Sequence, residues 1–222
     1  MNDRLTKKEL KEDTLVRETA RAADFLAHHG RSMVGGVVVV VVVVAAVFFM
    51  RGNSTRSEDR AAGLIAEASM AFDQNDLDKA AQSLETVVSS HGGTSSGIRA
   101  ELLYGDVRYA QNRYEDALVL YTKAADRLKG KGMLENAARR GMAACYENLD
   151  RYQDAAAIYT ALADGAPNAS LKAELRMATA RNLAAAGQTD QAKSVLKDLG
   201  QDSDNPRVAQ DAKLLLAELS HR

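Results

Sequence analysis

Apolar residues follow two different patterns along this chain. Between Ser32 and Met50 nineteen consecutive residues carry no charge, and eight of them, Val37 to Val44, are valines in a row. As a helix a run of this length rises roughly 28 Å, close to the roughly 30 Å hydrocarbon core of a bilayer. In water so many β-branched side chains would favour a strand and invite aggregation. In lipid a single segment can satisfy its backbone hydrogen bonds only as a helix. The run therefore predicts one transmembrane helix over 32–50. Downstream, apolar residues recur three and four apart, which predicts amphipathic helices through the remainder of the chain.

Thirty-one residues ending in Arg31 precede the apolar run, far more than the short basic leader of a secretory signal. Val47, Phe48, Phe49 and Met50 lead straight into Arg51 with no small-x-small cleavage site, so the run reads as an uncleaved signal anchor. The only cysteine, Cys145, lies far downstream, which argues against a lipoprotein. Within about twenty residues of the span the basic count is four (Lys11, Arg17, Arg21, Arg31) against three (Arg51, Arg56, Arg60). The short first segment as a whole is richer, with Arg4, Lys7 and Lys8 in addition. This predicts a cytoplasmic N-terminus and a C-terminal domain on the far side of the membrane.

Four segments downstream share one pattern: Asn75 to Ala80, Asn112 to Ala117, Asp150 to Ala155 and Gly187 to Ala192. Their alanines are spaced by 37, 38 and 37 residues. Four residues after each alanine stand Leu84, Tyr121, Tyr159 and Leu196; seven after stand Val87, Ala124, Leu162 and Leu199. Both offsets lie on one helical face, so each segment opens a second helix. Twelve residues before each alanine there is a small residue, Ala68, Gly105, Ala143 or Ala180, which lets two antiparallel helices approach closely. The turn between the helices falls on the Asn, Asp or Gly that opens the segment.

This pattern resembles the tetratricopeptide repeat over roughly residues 58–205. Gly105, Tyr114, Ala117, Tyr121 and Ala124 fit best, and repeat three ends in Pro167, where the family often places a proline. The first-helix tryptophan is missing, and the period is three or four residues longer than the family's 34. The extra residues are expected in the links at 91–97 and 129–132. A last helix over about 207–220 carries Val208, Ala212, Leu215, Leu216 and Leu219 at helical spacing and reads as a cap on the stack.

The leader has its own pattern. Thr6 to Glu9 fits a capping box, and Leu15, Thr19, Ala22 and Leu26 form one stripe of an amphipathic helix. The expected organisation is all-α: a leader helix (1–31), one transmembrane helix (32–50), a linker (51–57) and a repeat solenoid of about four repeats with its capping helix (58–222). With Lys8-Glu-Leu-Lys-Glu-Asp13, this layout resembles the bacterial single-pass family that includes the ancillary subunit of the SecYEG translocon (YfgM-like proteins). That resemblance implies the inner membrane, a periplasmic repeat domain, and SecYEG or secretory clients as partners.

Charge adds little. Of 29 basic and 30 acidic residues, seven and six fall in 1–31, leaving 22 and 24 for the remainder. Neither part is a polyelectrolyte, so nucleic-acid binding is not expected. His28 and His29 are adjacent on a helix and point apart, so they do not chelate one ion. Cys145 stands among Ala143, Ala144 and Tyr146 and reads as a packing residue. Gly130-Lys-Gly132 lacks the residues of a phosphate loop. No enzyme, metal or cofactor is expected.

What remains is surface. In the tetratricopeptide family the first helices line a concave groove. Carrying those positions over gives Ile65, Ser69 and Phe72; Arg99, Leu102, Asp106 and Tyr109; Arg140, Ala144 and Glu147; and Glu174, Met177 and Arg181. Arg99, Arg140 and Arg181 would fork-bind peptide carboxylates, or else simply form a solvated face. Phe72, Tyr109 and Met177 would add apolar contacts. The leading reading is a membrane-anchored protein-interaction module beside the secretion translocon or in periplasmic chaperone traffic. A scaffold subunit of a stable envelope complex is the alternative, and a receptor signalling inward through the leader is a third.

Overall fold

Four turns in the chain are built the same way. Asn75, Asn112, Asp150 and Gly187 all take the left-handed conformation, with φ of 60°, 58°, 57° and 76°. In each case the next amide reaches back five residues: Asp76 to Ala71, Arg113 to Arg108, Arg151 to Tyr146 and Gln188 to Leu183, all at 2.8–2.9 Å. This is the Schellman ending of a helix, which satisfies carbonyls the helix itself leaves open. Asn, Asp and Gly tolerate that backbone best, so the residues that open the repeated segments are those the turn requires.

The computed structural model describes residues 39–45, 55–202 and 204–221. The predicted leader, with His28 and His29, and the flanks of the predicted span lie outside them. Two compact units divide at Thr55 and Arg56. In the first, residues 39–45 are helical and Val39 to Val44 are exposed. Among the described residues no helix is long and apolar enough to cross a membrane.

The second unit is a run of helices: α1 over 55–73, α2 (Leu77–His91), α3 (Ser95–Ala110), α4 (Tyr114–Arg127), α5 (Met133–Asn148), α6 (Tyr152–Asp164), α7 (Ala169–Ala185), α8 (Thr189–Gly200) and α9 (Pro206–Ser220). From α2 onward each helix packs on the next. The core is a chain of local clusters, as expected of a solenoid whose units bury surface only against neighbours. Ala68, Ala143 and Ala180 are completely buried and Gly105 is buried with them. Of the second-helix positions, Leu84, Tyr121 and Leu196 are buried, whereas Tyr159 is only half-buried.

Local chemistry sets the ends. Asp76, Thr94 and Asn168 cap α2, α3 and α7, each accepting from the amide three residues on. Tyr114 and Tyr152 open α4 and α6. They are half-buried, and their hydroxyls donate back to the turn residues Asn112 and Asp150 at 2.7 and 2.5 Å. The links at 92–94 and 128–132 hold the extra residues, but Gly97 belongs to the first turn of α3.

The first helix of the domain starts ahead of residue 58. Residues 55–57, expected in the linker, are already helical. They also make contacts: Ser57 Oγ lies 2.7 Å from His91 Nδ1, and the adjoining Glu58 accepts from both the amide and hydroxyl of Ser96 at 2.9 and 2.7 Å. At the other end α9 begins at Pro206, suited to a first helical turn because it needs no amide partner there. Val208, Ala212 and Leu219 close the last cluster.

Candidate interaction face

The first helix of each pair, α1, α3, α5 and α7, presents one face through positions 18, 15, 11 and 8 residues before the repeat alanine. On α3 these are Arg99, Leu102, Asp106 and Tyr109; on α5 Arg140, Ala144 and Glu147 occupy the last three. Polar contacts link this face from helix to helix. Tyr109 Oη accepts from Asn148 Nδ2 at 2.9 Å, joining α3 to α5. Glu147 Oε1 accepts from Asn182 Nδ2 at 2.6 Å, joining α5 to α7. Two second-helix tyrosines point into the same ladder: Tyr121 donates to Asp106 at 2.6 Å and Tyr159 to Glu147 at 3.5 Å.

Crowding changes the acidity of these groups. Burial pushes the Asp106 carboxyl above its ordinary value, partly offset by the Tyr121 hydrogen bond. Burial also raises Tyr159 to about 12, with the Glu147 charge adding to it. Tyr121 shifts upward for the same first reason, then through its bond to Asp106.

The predicted residues divide into two sets. Arg99, Arg140, Glu174 and Arg181 are exposed; Asp106 keeps solvent access as a residue while neighbouring atoms crowd its carboxyl, and Tyr109 and Glu147 are half-buried in the ladder. The apolar members are used differently from the expectation. Met177 is 5 % exposed and packs with Ala180 and Leu196; Phe72 and Leu102 pack against neighbouring clusters. Met177 is thereby withdrawn into the core, whereas Phe72 and Leu102 are half-buried. Glu174 pairs with Arg207 of α9 at 3.4 Å.

Arg99, Arg140 and Arg181 make no hydrogen bond or ion pair among the described residues. They stand 18, 15 and 11 positions before their repeat alanines, so each lies about one helical turn further along its helix than the last. The arginines therefore form a diagonal across three helices, not a level row.

Sequence reasoning missed Glu101. Its side chain is fully buried, and Oε1 meets Lys123 Nζ at 2.9 Å and Arg127 Nη1 at 2.7 Å. Arg127 also donates to the Gly92 carbonyl, so one cation fastens α4 to α3 and to the α2–α3 link. Oε2 has no hydrogen-bond partner among the described residues. The sequence signal for Glu101 is weak because both partners lie on the next helix, 22 and 26 residues away. Cys145 is fully buried, and burial raises its thiol to about 12.

The fold defines an all-helical repeat solenoid, a class that serves as a protein-interaction scaffold and is generally not enzymatic. Residues 23–158 match the family described as tetratricopeptide repeat-like domain, more than half of the chain, and the chain belongs to that family. No curated protein sequence matches it significantly. Among solved structures, a tetratricopeptide repeat protein from Parabacteroides merdae is similar with a TM-score of 0.61 at 17% identity, over 73% of this chain and 61% of that one. The nearly identical TPR-like repeats of a kinesin light chain-type protein from Podosopora anserina align with a TM-score of 0.58 at 16% identity, over 73% and 86%. At these identities the likeness is one of fold.

Proposed function

We propose that this protein is a membrane-held interaction module whose first-helix face binds a polypeptide partner through the arginine diagonal. The observation that carries the reading is the set of three exposed arginines, Arg99, Arg140 and Arg181, with no ion pair among the described residues. Other arginines on the helices of this domain find carboxylates nearby, as Arg139, Arg176 and Arg207 do. Guanidinium groups left open on one face can fork-bind carboxylates of a partner.

The uncharged run 32–50 supplies the tether. The family match begins at residue 23 and continues through that run, which supports treating anchor and repeats as parts of one design. A tether raises the local concentration of a weak binding face at the membrane, so modest contacts suffice. Basic residues in the leader favour a cytoplasmic N-terminus and a periplasmic repeat domain in the bacterial inner membrane. The resemblance in layout favours work beside the secretion translocon or in periplasmic chaperone traffic.

Protease added to spheroplasts tests the topology: the repeats should be digested and the leader spared, and the opposite pattern overturns it. Crosslinking in those membranes tests the role. Translocon subunits or secretory clients are the expected products, whereas a single fixed complex without clients would replace this reading with a scaffold subunit.

A further inference from the structure

Repeats two and three are related by 38 residues, so their inter-repeat contacts can be compared position by position. Where α3, α4 and α5 meet, Leu128 is buried and Ile98 and Leu102 pack beside it. One repeat later, the residues at these three positions are Ala166, Asn136 and Arg140. Leu162 replaces the smaller Ala124 at the same offset, Leu175 replaces Ala138 at the 37-residue spacing from repeat three to repeat four, and the two leucines pack together below them. The lower layer is thus filled, while the upper layer loses three large apolar side chains. The result is a cavity of about 560 Å³ between the first turns of α5 and α7 and the end of α6. That size is within the range of pockets that hold ligands.

The lining has a definite chemistry. Leu162, Leu171 and Leu175 supply apolar wall, and Pro167 of the α6–α7 connection also lines the cavity. Met133, 85% exposed, stands at the mouth, where its flexible thioether can adapt to an incoming group. Arg140 lines the same cavity and has no ion pair among the described residues. An apolar wall beside an open guanidinium calls for an aliphatic side chain with a carboxylate close by. In an extended segment, residues two apart lie on the same side, roughly 7 Å apart.

We propose that this cavity takes an aliphatic side chain of the partner polypeptide while Arg140 binds an acidic side chain two residues away. This rests on the interaction reading above and gives it a local specificity: an aliphatic-x-acidic element docked between repeats three and four. The Arg99 and Arg181 ends of the diagonal then contact carboxylates further along the same partner.

The test uses the full-length chain in nanodiscs and a fluorescein-labelled peptide Ser-Leu-Ser-Glu-Ser with both ends blocked. Anisotropy should show saturable binding, about tenfold weaker when Gln replaces Glu or Ser replaces Leu. Ala166→Leu, which restores the side chain of Leu128 at the equivalent position, should weaken binding by a similar factor. Arg140→Gln, which fills nothing, should weaken the Glu peptide and leave the Gln peptide unchanged. That difference separates a direct carboxylate contact from a general disturbance of the fold, and it stands even where Ala166→Leu fails to fold. No binding to the wild-type chain, unaltered binding by folded Ala166→Leu, or equal loss of both peptides in Arg140→Gln overturns the proposal. If membrane crosslinks persist while the peptide fails to bind, only the pocket proposal falls. If the peptide binds while no partner crosslinks from the first-helix face, the broader interaction reading falls.

Discussion

The ring of Tyr121 is held against Gly141. A Cβ placed on Gly141 would stand 2.5 Å from the ring's Cζ, and one on Gly105 would stand 2.7 Å from its Cε1. Tyr121 therefore lies between glycines of α3 and α5, while its hydroxyl donates to Asp106 at 2.6 Å. The ring has little room to retreat, because it is enclosed on both sides and tied at its tip.

Gly141→Ala should consequently destabilise the domain despite its better helix propensity. Replacing an interior helix glycine by alanine gains about 1 kcal/mol, whereas overpacking costs about 1–3 kcal/mol. Urea unfolding should show a net loss, and a smaller one for Gly105→Ala. An increase in stability for Gly141→Ala would mean that the Tyr121 ring moves aside freely.

Glu101→Ala should cost about 2–3 kcal/mol. Breaking a fully buried ion pair costs about 3–5 kcal/mol, but Lys123 and Arg127 retain 53% and 28% side-chain exposure and can be rehydrated. Denaturation of the wild type and Glu101→Ala checks this. A loss below about 0.5 kcal/mol, the scale of an ordinary surface substitution, would contradict it.

Asp106 gives a pH signature of defined sign. Its folded carboxyl is raised by burial above the ordinary 3.8, so the folded state binds this proton more tightly than the unfolded chain. Its contribution to stability is full below 3.8 and is lost as pH rises through the folded value. The stability of Asp106→Asn relative to wild type should thus improve across the lower carboxylate range and then level off. Improvement of the wild type relative to Asp106→Asn over the same range would reverse the sign.

Cys145 should resist alkylation in the native state. With its thiol at about 12, only about one molecule in ten thousand is thiolate near pH 8, and the side chain is fully buried. Maleimide labelling should be slow in buffer and rapid in denaturant. Fast native labelling would place Cys145 outside the packed core.

Much of this architecture is legible in the sequence because each repeat imposes local demands. Asn75, Asn112, Asp150 and Gly187 mark turns that need a left-handed residue, and the small residues Ala68, Gly105, Ala143 and Ala180 mark close helix approaches. Gly141 and Glu101 are harder to read because their reasons lie on other helices. Gly141 looks like a weak point in a helix until Tyr121 is placed against it. Glu101 looks like an ordinary surface charge until Lys123 and Arg127 close over it. The candidate face is legible as a set of positions, but helical spacing alone does not separate exposed Arg140 from buried Met177. Both stand 15 residues before their repeat alanine, and the difference comes from how repeat four packs under α8 and α9.

The central claim is that partners meet the first-helix face through the arginine diagonal. A photo-crosslinker at Ala144, on that face, and another at Val119, 67% exposed on α4, compare the two sides of the repeats in native membranes. The expected result is a partner crosslink from Ala144 that disappears when Arg99, Arg140 and Arg181 are all changed to Glu, and none from Val119. A crosslink from Val119 alone, or one from Ala144 that survives the charge reversal, would contradict it.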